Sequence, residues 1–272
     1  MMFDLDNQLY RDYKNQVNHE RKIIFLWQLI ILVAFIALWE IASRMDWINP
    51  LIFSFPSEIF SILLNKFSDG TVISHLQITL FETVLSLLIG TVAGIIFAAV
   101  LWSSLRLSRI MNPFLIVLYA MPKVTFIPII IVALGPHYVS AIAMGAIISA
   151  TITTLVIYTA FREVDPNYER VLISFGANKR QVFREAVLPA SLPAIFSIVK
   201  VNIGLSWVGV IVGEFLISKE GLGYLIIRGY QGFDFPLVIS ILVVIALCAV
   251  LMYKIAEYIE KWFIKTQAKN RL

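Results

Sequence analysis

The chain has 272 residues, 59% of them hydrophobic and only 15% charged, with a net charge of +4. A water-soluble globular domain carries fewer apolar residues and more charge, so that class is excluded; the excess falls in runs long enough to cross a bilayer, which takes about 20 residues of helix. The basic surplus collects at the ends of those runs and is no nucleic-acid signal, and the single cysteine, Cys248, can form no intrachain disulfide.

Residues 1–22 mix Arg11, Lys14, Arg21 and Lys22 with Asp4, Asp6, Asp12 and Glu20, and read as a solvated tail, helical toward the membrane surface. They do not resemble a cleavable leader, and the apolar run after them is too long for a signal core. Residues 23–43 form the first span, with Glu40 near its end as an interfacial carboxylate or a partner of Arg44. The Trp- and Pro-bearing stretch from Asp46 to Glu58 is an interfacial connection. Ser57 is placed to cap a short amphipathic helix running to about Phe67, with Ile59, Phe60, Leu63 and Leu64 on one face.

The second span runs from about Leu76 to Trp102, with Gly90 and Gly94 at a spacing that lets helix backbones approach closely. Glu82 is an acid early in this span; it faces a subunit interface, a polar cavity or the headgroup zone. Arg106 and Arg109 read as a short loop before Asn112-Pro113. The third span follows from Phe114 to about Leu134 and carries Pro122, Lys123 and Pro128. Prolines kink a span and free carbonyls, which is tolerated where protein or a watery cavity covers the break. Lys123 then faces a pore, a subunit or a carboxylate, or reaches back to the membrane surface. Gly135-Pro136-His137 is a turn, and His137 has no neighbouring metal ligands. The fourth span covers about Tyr138 to Ala160, with Gly145, Ser149 and Ala150 suited to close packing.

Between that span and the next lies a basic interruption, residues 162–193. Gly176 can end one short helix in the left-handed conformation, and Asn178 can cap the next with its side-chain oxygen. In that second helix Val182 and Phe183 sit beside Ala186 and Val187, while Lys179, Arg180 and Arg184 point elsewhere. Pro189 and Pro193 close the unit. The fifth span, about Ala194 to Leu216, holds Lys200, Asn202, Ser206, Trp207 and Glu214, more polarity than a lipid-facing helix would carry. Gly221 and Gly223 then permit a tight turn, and Glu214 is a candidate gate or cavity residue unless Lys219 or Arg228 pairs with it. The last span covers about Pro236 to Tyr258, and Glu260, Lys261, Lys265, Lys269 and Arg271 follow it. With both termini in the cytoplasm, nearly all the loop lysines and arginines are cytoplasmic; the outer segments hold only Arg44, Lys66, Lys219 and Arg228. This is a strong positive-inside bias.

The segment around Gly176 and Leu188-Pro189 resembles the cytoplasmic signature loop of permease subunits of binding-protein-dependent type I ABC importers. That signature opens Glu-Ala-Ala, has glycine at its seventh position and ends Leu-Pro. Here Arg170, Val171 and Leu172 occupy the opening, with Glu169 one residue early, while the glycine and the Leu-Pro are intact. Gly-Ala-Asn-Lys-Arg-Gln-Val-Phe, Leu-Pro-Ala-Ser-Leu-Pro, the Pro-Lys and Ile-Pro of the third span and Gly-Leu-Gly-Tyr-Leu-Ile are similar to the nitrate, sulfonate, taurine and pyrimidine-precursor branch. Glu82 departs from it, since an arginine often stands near that place.

The resemblance implies an all-α integral membrane fold with about six spans and a cytoplasmic coupling helix. The chain divides into tails 1–22 and 266–272 around a single permease domain, 23–265, in a bacterial plasma membrane. Two copies or homologous subunits would form the pathway above two ATP-binding cassette subunits, with an external substrate-binding protein docking outside. Gly176, Asn178, Lys179, Arg180, Val182, Phe183, Arg184, Ala186, Leu188 and Pro189 would serve ATPase coupling. Pro122, Lys123, Pro128, Lys200, Asn202, Ser206, Trp207 and Glu214 would line the pathway. The chain has no phosphate-binding Gly-x-x-x-x-Gly-Lys motif, metal motif or nucleophile motif. It is thus expected to bind no cofactor and to be no enzyme; ATP and magnesium belong to the partner. The rival is an ion-coupled secondary carrier using Glu82, Lys123, Lys200 and Glu214. The transported solute is not written in these motifs.

Overall fold

The computed structural model describes residues 2–217 and 219–269; Met1, Ser218 and residues 270–272, including Arg271 of the expected tail, lie outside it. Among the described residues all regular structure is helical. In order these are α1 (Met2–Arg44), α2 (Pro50–Phe53), α3 (Pro56–Ser68), α4 (Thr71–Ser103), α5 (Leu105–Ala120), α6 (Ile127–Leu134) and α7 (Tyr138–Glu163). They continue with α8 (Pro166–Ser174), α9 (Lys179–Val182), α10 (Leu188–Ala190), α11 (Leu192–Ile217), α12 (Leu222–Gln231) and α13 (Phe235–Lys269). Residues Gln16–Arg44, α4, α7, α11 and Phe235–Phe263 are each long and apolar enough to cross a bilayer, and a bent pair of segments, Leu105–Ala120 with Lys123–Leu134, can supply a sixth crossing.

That bent pair corrects two expectations. The region expected as one third span breaks by 94° after Ala120. Met121 takes an extended conformation (φ −72°, ψ 136°) because the ring of Pro122 disfavours helix in the residue before it. A 3₁₀ turn, Lys123–Phe126, follows, and Pro128 enters the first turn of α6, where its missing N–H costs nothing. Arg106 and Arg109 are not in a loop: Ser104 caps α5 by accepting from the Leu107 N–H at 3.2 Å, and the helix runs on through Pro113. α1 likewise shows no break between the expected tail and first span, in keeping with the absence of proline and glycine from residues 2–44.

Other departures are local. Ser57 does not cap α3: its backbone N–H and hydroxyl both donate to Glu40, at 3.1 and 2.9 Å, and Phe55 holds the cap position. Glu40 also pairs with Arg44 at 2.6 Å, so it pins the end of α1 to the start of α3.

The centre of the molecule is the packing of α4, α7 and α11. Lipid tails are as apolar as leucine, so these helices gain little by hiding grease from one another; close approach and interhelical hydrogen bonds must hold them. Gly90 and Gly94 of α4 lie against Ala146, Ser149 and Thr153 of α7, leaving no room for a side chain. Asn202 of α11 donates to Thr91 of α4 at 2.8 Å and to Thr153 of α7 at 2.6 Å. Ser149 and Ser206 meet at 2.9 Å, and the Ser86 hydroxyl donates to the Ile142 carbonyl at 3.0 Å. Such bonds average about 0.6 kcal/mol each in membranes, so the trio is held by their number and by close fit. One apolar cluster, including Ile203, Trp207, Leu222 and Ile241, packs α12 and α13 onto this centre. A second, including Ile157, Phe161, Val182 and Val187, seats the basic unit against the opposite ends of α4 and α7.

Candidate coupling and pathway sites

The basic unit is built from short-range signals. Asp165 caps α8 by accepting from the Asn167 N–H at 2.9 Å, with Pro166 in the first turn. Gly176 ends α8 at φ +83°, in the left-handed conformation. Asn178 then opens α9 with a reciprocal capping box: its side chain accepts from the Gln181 N–H at 3.0 Å, and the Gln181 side chain accepts from the Asn178 N–H at 2.8 Å. The run continues through a π-helical segment, Phe183–Val187, into α10. Pro189 lacks the N–H that would bond the Glu185 carbonyl, which accounts for the loosened turn there.

Side-chain directions differ from expectation. Val182 is only 3% exposed and belongs to the inner apolar cluster. The Phe183 ring lies 5.1 Å from that of Trp102 and 5.2 Å from that of Phe161. Lys179 turns inward as well, donating to the Ser103 carbonyl at 2.5 Å and lying over the Trp102 ring. These three residues fasten the unit to the end of α4. Arg180 and Arg184 are exposed, while Ala186, Leu188 and Pro189 are partly buried. The exposed apolar residues, Phe175 at 84%, Tyr168, Val171 and Ile173, are none of those expected to serve coupling. Beside them a cavity of about 800 Å³ is lined by Tyr168, Val171, Ala186, Pro189, Phe196 and Phe263.

At the other end of the bundle, α4 presents His75, Thr79, Glu82 and Ser86 on one face, following the helical period. The loop Gly221-Leu222-Gly223 meets that face and α11, and all three of its backbone N–H groups are captured. Gly221 donates to His75 Nδ1 at 2.9 Å, Leu222 to Thr79 Oγ1 at 2.8 Å, and Gly223 to Glu214 Oε2 at 2.7 Å. Thr79 in turn donates to Glu214 Oε1 at 2.6 Å. Glu214 is therefore held by Thr79 and Gly223 rather than by Lys219 or Arg228. Glu82 lies fully buried against Glu214, the two carboxyls in hydrogen-bond contact, and takes no bond from any other described residue. His75 and Thr79 were not singled out in the sequence, although their spacing from Glu82 was the available signal.

The remaining expected pathway residues are dispersed. Asn202, Ser206 and Trp207 are buried between helices and line none of the described cavities. Lys200 forms a 2.7 Å ion pair with Glu260 of α13. Lys123 donates at 2.7 Å to the Tyr119 carbonyl, one of the acceptors that the break at Pro122 leaves free. Pro122 and Pro128 are exposed along the bent segment.

A family model described as binding-protein-dependent transport system inner membrane component matches residues 90–265. Over 251 residues the chain is 26% identical to the formylaminopyrimidine transport permease protein ThiX of Halalkalibacterium halodurans, covering 92% of this chain and 97% of that protein. It is 26% identical over 206 residues to a putative aliphatic sulfonates transport permease protein, SsuC of Bacillus subtilis, covering 75% and 74%. A solved bacterial ABC transporter involved in import of the polysaccharide alginate shares the fold, with a TM-score of 0.63 at 17% identity over 93% of this chain and 98% of that one.

Proposed function

Since the chain belongs to the family of binding-protein-dependent transport system inner membrane components, and is a multi-pass permease subunit of an ABC importer, we propose that it pairs with a second permease subunit to form the solute pathway and couples to separate ATPase subunits through residues 166–190. The observation that carries this reading is the exposed apolar surface of that unit on a rigid mount. Phe175, Ile173 and Tyr168 project from a capped helix pair anchored by Lys179, Val182 and Phe183. A mobile loop would dissipate a push from below; a unit locked to α4 and α7 passes it into the bundle. Arg180 and Arg184 flank the surface and would set orientation on the partner. ATP and magnesium would be held by the ATPase. Closure of the ATPase pair would bring the two coupling units together and rock the spans, opening the pathway alternately to each side.

The positive-inside distribution supports a cytoplasmic position for the 166–190 unit and for both ends of the chain. The Gly221–Gly223 loop is then outside, where a substrate-binding protein would dock. An ion-coupled carrier gains no support from the geometry: Lys200 and Glu214 stand 14 residues apart on α11, about 21 Å along the axis. Lys200 and Lys123 are each already engaged, the one by Glu260 and the other by the Tyr119 carbonyl. Cargo is not inherited from kin, because the relatives' names span an aminopyrimidine and sulfonates.

The test is co-purification from a mild detergent with the neighbouring gene products. An ATPase subunit in near-equal amount, lost on Phe175→Asp, is expected. A chain that purifies alone and moves solute in proteoliposomes without ATP would make it a secondary carrier.

A further inference from the structure

Only Ser191 separates the 166–190 unit from α11, and helical bonds run straight across it. Its N–H donates to the Val187 carbonyl at 3.1 Å, and its carbonyl accepts from the Ile195 N–H at 3.1 Å. A push on the unit therefore enters α11 directly. About two turns into α11, Lys200 meets Glu260 of α13 in a 2.7 Å ion pair, the side chains only 19% and 16% exposed. A turn earlier Phe196 faces Phe263, their ring centroids 5.2 Å apart. The two contacts run antiparallel along one face of each helix. Little of α13 is buried, and it packs on α11, α12, α2 and α3. Its outer half joins the bundle through the apolar cluster that includes Trp207, Ile241 and Val244. Apolar contacts resist sliding weakly in lipid, whose tails compete for the same surfaces. The ion pair resists it strongly, because each charge at this depth is costly without the other. A slip of one turn would carry Lys200 toward Glu257, but Lys254 at 3.2 Å and Lys261 at 2.7 Å already hold that carboxylate. Apolar residues in place of a buried ion pair are often neutral or stabilising, so stability does not account for the pair, whereas a fixed register does.

We propose that Lys200 and Glu260 are positioning residues for transport. They lock the axial register of α11 and α13, so that α13 follows α11 when the ATPase drives the 166–190 unit. Through α13 the movement reaches α2 and α3, which pack on it at the edge of the bundle. This deepens the coupling reading of that unit and rests on it. Lys200 is thereby a residue of transmission rather than one lining the solute pathway.

The experiment is double electron–electron resonance on the permease with its bound ATPase in lipid nanodiscs, nucleotide-free and trapped with ATP, magnesium and vanadate. Nitroxides are carried by Val208→Cys and Tyr258→Cys, at exposed positions of α11 and α13, in a Cys248→Ser background. Dilution with unlabelled permease removes distances between copies. With the native ion pair, one distance is expected, the same in both states; this reading needs no change at the pair itself. Lys200→Met with Glu260→Met removes both charges and leaves neither orphaned, so the variant should assemble and melt as the parent does. On trapping it should show a second distance displaced by about 5 Å, one helical turn. Exchanging the charges, Lys200→Glu with Glu260→Lys, should restore the single distance. A distance that shifts on trapping with the native pair in place would mean that Lys200 changes partner, and would overturn the proposal. So would a methionine pair that keeps the single distance, since the ion pair would then be a static contact. A permease that retains no ATPase would strike the coupling reading and the proposal with it; that failure is recognised at purification, before any distance is read.

Discussion

Gly176 and Gly221 both adopt positive φ, +83° and +98°, yet the two positions ask for glycine differently. A Cβ at Gly176 would meet nothing within 4 Å, so only the backbone conformation resists substitution. Gly176→Val should therefore cost about 1–2 kcal/mol, the penalty of a left-handed residue, and Gly176→Asn clearly less. A Cβ at Gly221 would run into the Glu214 carboxyl as well. Gly221→Ala should thus break the Gly223–Glu214 bond in addition to straining the turn, and destabilise more than Gly176→Ala. Thermal unfolding of the purified permease variants ranks the pair; equal losses would mean that the outer loop yields without dragging Glu214. The same contrast marks what one residue can announce. A glycine between two helix signals predicts its own φ from the sequence, as at Gly176, whereas the carboxyl crowding Gly221 comes from another helix.

Within the basic unit, caps and breaks were legible and directions were not. Asn178, Gly176 and Pro189 act on atoms within four residues of themselves, so their roles follow from order alone. Val182 and Phe183 form an apolar face that fits either the permease or a partner, and a helix this short carries no second turn to arbitrate. The structure gives that face to Trp102 and Phe161, and leaves Phe175 and Ile173 outside. This separates two phenylalanines by readout. Phe183→Ala removes a partly buried ring between two others and should lower permease stability by about 3 kcal/mol, the low end for aromatic truncation. Phe175→Ala should leave the melting temperature unchanged and reduce retained ATPase at least about tenfold, as expected of an interface anchor. Melting curves and pull-down yields on both variants check the division. A Phe175 variant that melts early while keeping its partner would reverse it. The bend after Ala120 has the same origin in order: Pro122 dictates Met121, but a right-angled turn rather than a mild kink depends on α7, against which Ile127 and Ile130 pack beside Met144 and Ile148.

Across the whole molecule, the number of crossings followed from apolar length and from the charges that bound each run. The three-helix centre was only hinted at by its glycines and by the polar load of α11. The pairing of Asn202 with Thr91 and Thr153, and of Thr79 with a glutamate 135 positions later, is written in no local pattern. The meeting of Glu82 and Glu214 belongs to this class, and it sets two carboxyls face to face, a contact that a single substitution can change. Glu82→Gln keeps the shape of the side chain and supplies an amide N–H that can be offered to Glu214. A hydrogen bond to a carboxylate in place of two facing carboxyls should add about 1–2 kcal/mol, and with it a rise of about 2–8 °C in melting temperature. The measurement is thermal unfolding of wild-type and Glu82→Gln permease in the same detergent, with ATPase retention recorded in parallel. A lowered melting temperature at unchanged assembly would mean that the native pair is already satisfied by a hydrogen between the carboxyls, which the amide cannot replace.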